Sequence, residues 1–283
     1  MKELWYMAGD GLMWLLAWIH GLTNSWGLAI IGVTFLVRLV MHPLTRKQMS
    51  SMKKMQELQP RMKVFQEKYA DDKEMQSKKI MELYKENKVN PASGCFPLLI
   101  QLPIFILLYG VLTRHGFADA SFLTIHLDGS VISTIADAIN LVDPVTLEKI
   151  PIKVLDAAAG YYVFNPQLGV VMVMFSAMTN LSLLFANLGT WLPNTVLLMV
   201  ISFLTWYQQR LSSVGNPNMA MMNWFMPVFL TFICLKLPGG VLLYWGVSSL
   251  MGVVSQIFTM RKTSVEMSKK PVLLQEKPTQ KDT

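Results

Sequence analysis

The sequence predicts an all-α polytopic membrane protein with five spans, a cytoplasmic helical hairpin and an N-terminal interfacial helix. Two observations carry this prediction. Hydrophobic residues make up 52% of the 283-residue chain and charged residues only 15%, where a soluble domain has about 25% charged. The charges also fall in blocks. No Asp, Glu, Lys or Arg lies between Asp10 and Arg38, Lys88 and Arg114, Asp156 and Arg210, Arg210 and Lys236, or Lys236 and Arg261. Each silent stretch accommodates the ~20 apolar residues that a membrane helix needs. Such composition excludes disorder, which requires low hydrophobicity and high charge. Two cysteines exclude a disulfide scaffold, and no Cys/His cluster has metal-ligand spacing.

The elements follow in order. Residues 1–25 read as an external amphipathic segment. Its apolar stretch Leu12–Leu22 is short, and Trp14, Trp18 and Trp26 suit a membrane–water boundary. The alternative reading is an uncleaved signal-like segment, since the basic start and small-residue cleavage site of a removable signal are lacking. The first span occupies residues 26–44, with its apolar body at Leu28–Leu44. Residues 45–90 form the hairpin. Met49, Met52, Met55, Leu58, Met62 and Phe65 recur at spacings of three and four, as do Met75, Ile80, Leu83 and Tyr84 more loosely. Ala70-Asp71-Asp72 offers the turn and a helix start, and Pro60 should kink or interrupt the first helix. Two readings stand side by side: a solvated connector, or a surface whose flexible thioethers at Met52, Met55 and Met62 receive apolar partners.

The second span lies in residues 91–113, as Cys95–Thr113. An extended external region, 114–190, contains one further apolar stretch, Leu168–Leu188. Ser176, Thr179, Asn180, Ser182 and Asn187 give that stretch a polar face, so it reads as an interfacial or re-entrant helix, with a sixth span as the alternative. Residues 191–260 hold spans three to five: Asn194–Gln209, Met221–Lys236 and Val241–Met260. Leu237-Pro238-Gly239-Gly240 reads as a tight external turn whose glycines permit the reversal. Residues 261–283 form a basic tail.

Orientation follows from the loops. Residues 45–90 carry 12 Lys/Arg against 7 Asp/Glu, the tail from Arg261 carries 6 against 3, and residues 114–166 carry 3 against 6. The positive-inside rule puts the first two in the cytoplasm and the third outside, with the N-terminus outside and the C-terminus inside.

Arg38 is the residue that points to function. It lies inside the first span, in its inner half, and an Arg at a helix centre costs about 2.5–3.5 kcal/mol on insertion scales. Such a group faces protein or water, unless it snorkels to the headgroups. Thr34 and His42 share its helix face at four-residue offsets. Gln101 and, along one side of the last span, Trp245, Ser248, Gly252, Ser255 and Gln256 supply partners for a wet cavity around it. The sequence has no phosphate loop, dinucleotide turn, metalloprotease motif or nucleophile elbow, and the spans lack Asp and Glu. A non-enzymatic protein without cofactor or metal is expected.

Four blocks carry a resemblance. Val33-Thr34-Phe35-Leu36-Val37-Arg38-Leu39 with His42-Pro43-Leu44-Thr45-Arg46-Lys47-Gln48 resembles the first core span of the YidC-type membrane protein insertases of the Oxa superfamily. Met52-Lys53-Lys54-Met55-Gln56-Glu57-Leu58-Gln59-Pro60 resembles that family's hairpin. Asn90-Pro91-Ala92-Ser93-Gly94-Cys95-Phe96-Pro97-Leu98-Leu99-Ile100-Gln101-Leu102-Pro103-Ile104-Phe105 is similar to its second span. Phe225-Met226-Pro227-Val228-Phe229 and Leu237-Pro238-Gly239-Gly240-Val241-Leu242-Leu243-Tyr244-Trp245 are similar to its last two.

The resemblance implies a five-span insertase core around a hydrophilic groove open to cytoplasm and bilayer. Arg38 would be the groove's charge, Thr34 and Tyr244 would contact substrate, and Trp245 would stand where a second aromatic is common. The implied function is insertion and chaperoning of nascent transmembrane helices in the bacterial plasma membrane. The protein would act as a monomer, with the ribosome, the lipid bilayer and, in some cases, the Sec translocon as partners. The competing reading is a small-solute or anion transporter or channel that uses the intramembrane Arg. The stretch from about Gly110 to Trp191 is longer than the resemblance leads one to expect.

Overall fold

A computed structural model describes residues 2–87, 89, 96–115, 120–141, 170–212 and 220–269. Helix α1 runs over Lys2–Thr23 and ends where Asn24 takes φ 51°, a left-handed turn that Asn tolerates. The chain then doubles back into α2, Trp26–Glu57. α1 packs along α2 and along α5, Phe96–His115, with Leu16 fully buried and Ile19 facing Gly32. It is therefore a full packed helix, longer than the apolar stretch that announced it.

α2 does not stop at residue 44. Pro43 lies inside it, and the helix carries the first apolar stretch directly into the polar segment. The break comes at Leu58, and α3 (Gln59–Lys68) places Pro60 in its first turn. A missing N–H costs nothing there. Asp72 caps α4 (Lys73–Glu86), accepting from the Met75 N–H at 2.9 Å. α3 and α4 pack around Leu58, Met62, Leu83, Tyr84 and Val89, as the turn at residues 70–72 leads one to expect.

Among the described residues, three helical stretches are long and apolar enough to cross a membrane: Trp26–Arg46, Leu188–Leu211 and Gly239–Phe258. They belong to α2, α9 (Leu188–Ser212) and α11 (Gly239–Lys269). α5 and α10 (Ala220–Cys234) contribute the shorter apolar stretches Gln101–Leu112 and Trp224–Cys234. α11 packs on α9, α2 and α5, and α10 packs on α9. Cys95 lies outside the described residues, as does the tail beyond residue 269.

The region between α5 and α9 builds a cap over one end of this bundle. Strands β1 (Ser121–Phe122) and β2 (Ile125–His126) form a small hairpin, followed by α6, Val131–Ala138. A Ser130–Ser133 capping box starts α6. Its Val131, Ile132, Ile135 and Ala136 are buried, each large one worth about 1.5–3 kcal/mol. The stretch predicted as one interfacial helix is two: α7 (Val170–Thr179) and α8 (Leu181–Ala186), broken at Asn180 and again at Asn187. Within the described residues neither reaches the length of a span.

The cap also corrects the reading of the Leu237–Gly240 turn. Leu237 is buried, Gly239 N–H donates to the Gly129 carbonyl at 2.9 Å and Gly240 N–H to the Leu127 carbonyl at 2.8 Å. A Cβ at Gly239 would overlap the His126 carbonyl oxygen. Glycine is needed because another stretch of backbone presses on it. Gly27 plays the same part beneath the Phe122 ring.

Candidate functional site: a polar junction at Arg38

α2 is apolar along most of its first 20 residues because it packs on α1 and α11 and faces lipid elsewhere. Arg38 is the cation in that stretch. Its guanidinium reaches α11. Nε donates to Ser248 Oγ at 2.9 Å, and Nη2 to the Ser248 carbonyl at 2.5 Å and to Ser248 Oγ at 2.6 Å. Ser248 is 2% exposed. The acceptors are neutral, so these hydrogen bonds do not cancel the positive charge. A charge in such surroundings acts more strongly than in water.

Gln101 of α5 donates to the Tyr244 hydroxyl at 2.5 Å, one helical turn before Ser248. Gly252, one turn after Ser248, completes the surface. A Cβ there would lie 3.6 Å from Arg38 Nη2 and 2.9 Å from Gln208 Nε2. Three helices therefore bring Arg38, Gln101, Tyr244, Ser248 and Gly252 together, and a fourth, α9, adds Gln208. The sequence reading missed Gln208. Its signal was an amide near the end of an apolar helix whose one charge is Arg210.

Two expectations need correction. The predicted groove is partly closed in this structure: Thr34 is 0%, Tyr244 2%, Ser248 2% and Gln256 4% exposed, while Arg38 and Gln101 are half-buried. The Thr34 hydroxyl bonds its own helix at the Ile30 carbonyl, 2.6 Å away, so it presents no free polar group. Trp245 packs edge-on to Phe105 and lines a small cavity with Ser202, Thr205 and Thr231. Second, Met62 faces inward. It is 2% exposed, and its sulfur accepts from the Tyr84 hydroxyl at 2.9 Å, so it is hairpin core and no client surface. Met55 packs half-buried against that core, because the stripe it belongs to is the seam between α3 and α4. Met52 lies on α2, with its side chain outside the description.

A family profile described as 60Kd inner membrane protein matches residues 18–267. The chain belongs to this family. The membrane protein insertase YidC of Tolumonas auensis is 33% identical over 261 residues, covering 92% of this chain and 37% of the relative. That of Francisella philomiragia is 34% identical over 247 residues, covering 87% of this chain and 34% of the relative. A solved structure, described as an active YidC insertase with its first transmembrane domain resolved, superimposes with a TM-score of 0.56 at 28% identity. That match covers 88% of this chain and 45% of the other. The chain thus spans a little over a third of the length of these relatives. The resemblance read from four sequence blocks holds, and the protein is an integral membrane protein of the 60Kd inner membrane type. A solute transporter finds no support among these relatives.

Proposed function

We propose that this chain is a membrane protein insertase and chaperone, passing nascent transmembrane helices into the bilayer. The observation that carries the reading is Arg38, a guanidinium fixed among neutral partners inside a span. The relatives' shared name, membrane protein insertase, points the same way.

In this reading the partly closed junction is the resting state. Opening it between α2, α5 and α11 frees Arg38 from Ser248, and an acidic flank of the incoming chain takes the place of the serine. Gln101, Tyr244 and Gln256 then offer hydrogen bonds to polar groups that hydrocarbon would leave unsatisfied. The apolar part of the client leaves past Trp245 into lipid, and burial of its ~20 apolar residues drives the step without ATP or catalysis. Thr34 acts as packing at the back of the junction, reached only when the helices separate.

The fuller architecture belongs to the same proposal. α5 and α10 complete a five-span core, with the N-terminus outside and the α3–α4 hairpin and tail in the cytoplasm. The basic hairpin, with Met52 and Met55 on the approach to it, recruits ribosome-bound chains, with or without the Sec translocon, and a single copy suffices. Photocrosslinkers at Thr34 and Tyr244, facing stalled nascent chains, test the route. Adducts at both positions support it, and adducts at neither while lipid-facing positions react would remove the junction from the path.

A further inference from the structure

The outer faces of α7 and α8 are apolar, and nothing among the described residues covers them. Val173 and Ala177 are buried on the side where α7 meets α6. The opposite side presents Phe175 at 69% exposure, Met178 at 74% and Phe185 at 68%, with Leu181 beside them. In water this would be a large adhesive patch.

Three features identify what covers it. Asp156 to Arg210 holds no charged residue, so neither helix carries a charge of its own. Its polar side chains turn back on the backbone. The Thr179 hydroxyl and the Asn180 amide both donate to the Ser176 carbonyl at 2.9 Å, and the Asn187 amide donates to the Ala138 carbonyl at 2.8 Å. That is how polar groups are arranged where water cannot serve them. Beyond Asn187 the chain enters α9, a helix long enough to span, which exposes Leu192, Val196, Met199 and Phe203 in turn. α7 has ten residues, about 15 Å of helix, half the ~30 Å hydrocarbon thickness.

We propose that α7 and α8 seat in the acyl region of the leaflet on the cap side, binding phospholipid chains. They form a half-membrane foot. Through α6 the foot moors the cap to the bilayer, and α6 in turn is fixed to the α10 end by its Ile132 N–H on the Leu235 carbonyl at 3.2 Å. The proposal rests on membrane embedding alone and not on insertase activity.

Nitroxide labels at Met178→Cys and Phe185→Cys test it, in the full chain with Cys95→Ser and Cys234→Ala, reconstituted in phosphatidylethanolamine/phosphatidylglycerol liposomes. Leu123→Cys on the β1–β2 turn is the aqueous reference and Phe203→Cys on α9 the lipid reference. The expected result is a ratio of oxygen to nickel-chelate collisions at 178 and 185 that is severalfold above that at 123 and close to that at 203. Either of two results overturns the proposal. A ratio like that of 123 means the face is in water. Exclusion of both reagents means a protein, a partner or a second copy, covers it.

Discussion

Arg38 and Ser248 stand 210 residues apart in sequence and are joined through three hydrogen-bond contacts, from Nε and Nη2 to one hydroxyl and one carbonyl. The pair ties the first long span to the last. Ser248→Ala removes the hydroxyl and leaves the carbonyl, so the guanidinium keeps part of its anchorage. The expected loss is about 1–3 kcal/mol, because a half-buried charged donor goes short of an acceptor. Thermal unfolding in detergent checks this. If the pair is the latch of the resting state, the variant should also show faster thiol modification of a cysteine placed at position 101.

The glycines of the cap should divide sharply. Gly239→Ala drives a methyl group into the His126 carbonyl oxygen. The expected cost is about 3 kcal/mol or more, above ordinary overpacking because backbone must move. Gly11→Ala meets nothing within 4 Å and is expected to be neutral or to stabilise α1 by about 0.5–1 kcal/mol. Melting curves of the two variants measured side by side decide the matter.

Asn194 is fully buried and serves both faces of one peptide stretch. Its Oδ1 accepts from the His126 N–H at 2.9 Å, and its Nδ2 donates to the His126 and Gly129 carbonyls at 3.1 Å. Asn194→Ala leaves the His126 N–H and carbonyl without this partner, while the Gly129 carbonyl keeps the Gly239 N–H, at about 1–3 kcal/mol. Hydrogen exchange should rise in residues 120–141 while α3 and α4 keep their protection. Uniform loosening of the whole chain would contradict a local clasp.

The hairpin carries a pH signature. Burial raises the Tyr84 hydroxyl above its ordinary value near 10. A raised value means that its contribution is complete below the unfolded-state value and is lost as pH climbs through the folded-state one. The α3–α4 pair is therefore expected to loosen in alkali, and Tyr84→Phe to flatten that dependence. Met62→Ala, by contrast, is expected to cost about 2–5 kcal/mol at any pH. Circular dichroism of the full chain between pH 8 and 12 reads both.

Much of the fold was legible because membrane helices write themselves as silence between charges. The stretch from Asp10 to Arg38 marked α2, and Arg210 to Lys236 marked α10. The Asp72 cap and the break before Pro60 were legible for local reasons. What the sequence hid depends on contacts between distant segments. α6 has only eight residues, too few for a periodic signal to separate it from the acidic stretch around it. Gly239 looked like a turn residue, and only the position of His126 reveals it as a point of close approach. The methionine stripe was seen, but a helix face does not say whether it meets a client or its own partner helix, and Met62 turned out to meet Tyr84. At the site, Arg38, Gln101, Tyr244 and Ser248 do converge. The place of Gln208 beside them depends on how α9 and α11 pack.

The charge of Arg38 is tested most directly by insertion into liposomes of two matched single-span substrates, one with an acidic N-terminal tail and one with a neutral tail. Arg38→Ala should depress the acidic substrate by tenfold or more, roughly the 1.4 kcal/mol of one lost attraction, and leave the neutral one nearly untouched. Equal insertion of both by the variant, at the level of the unaltered protein, would contradict the role given to this residue.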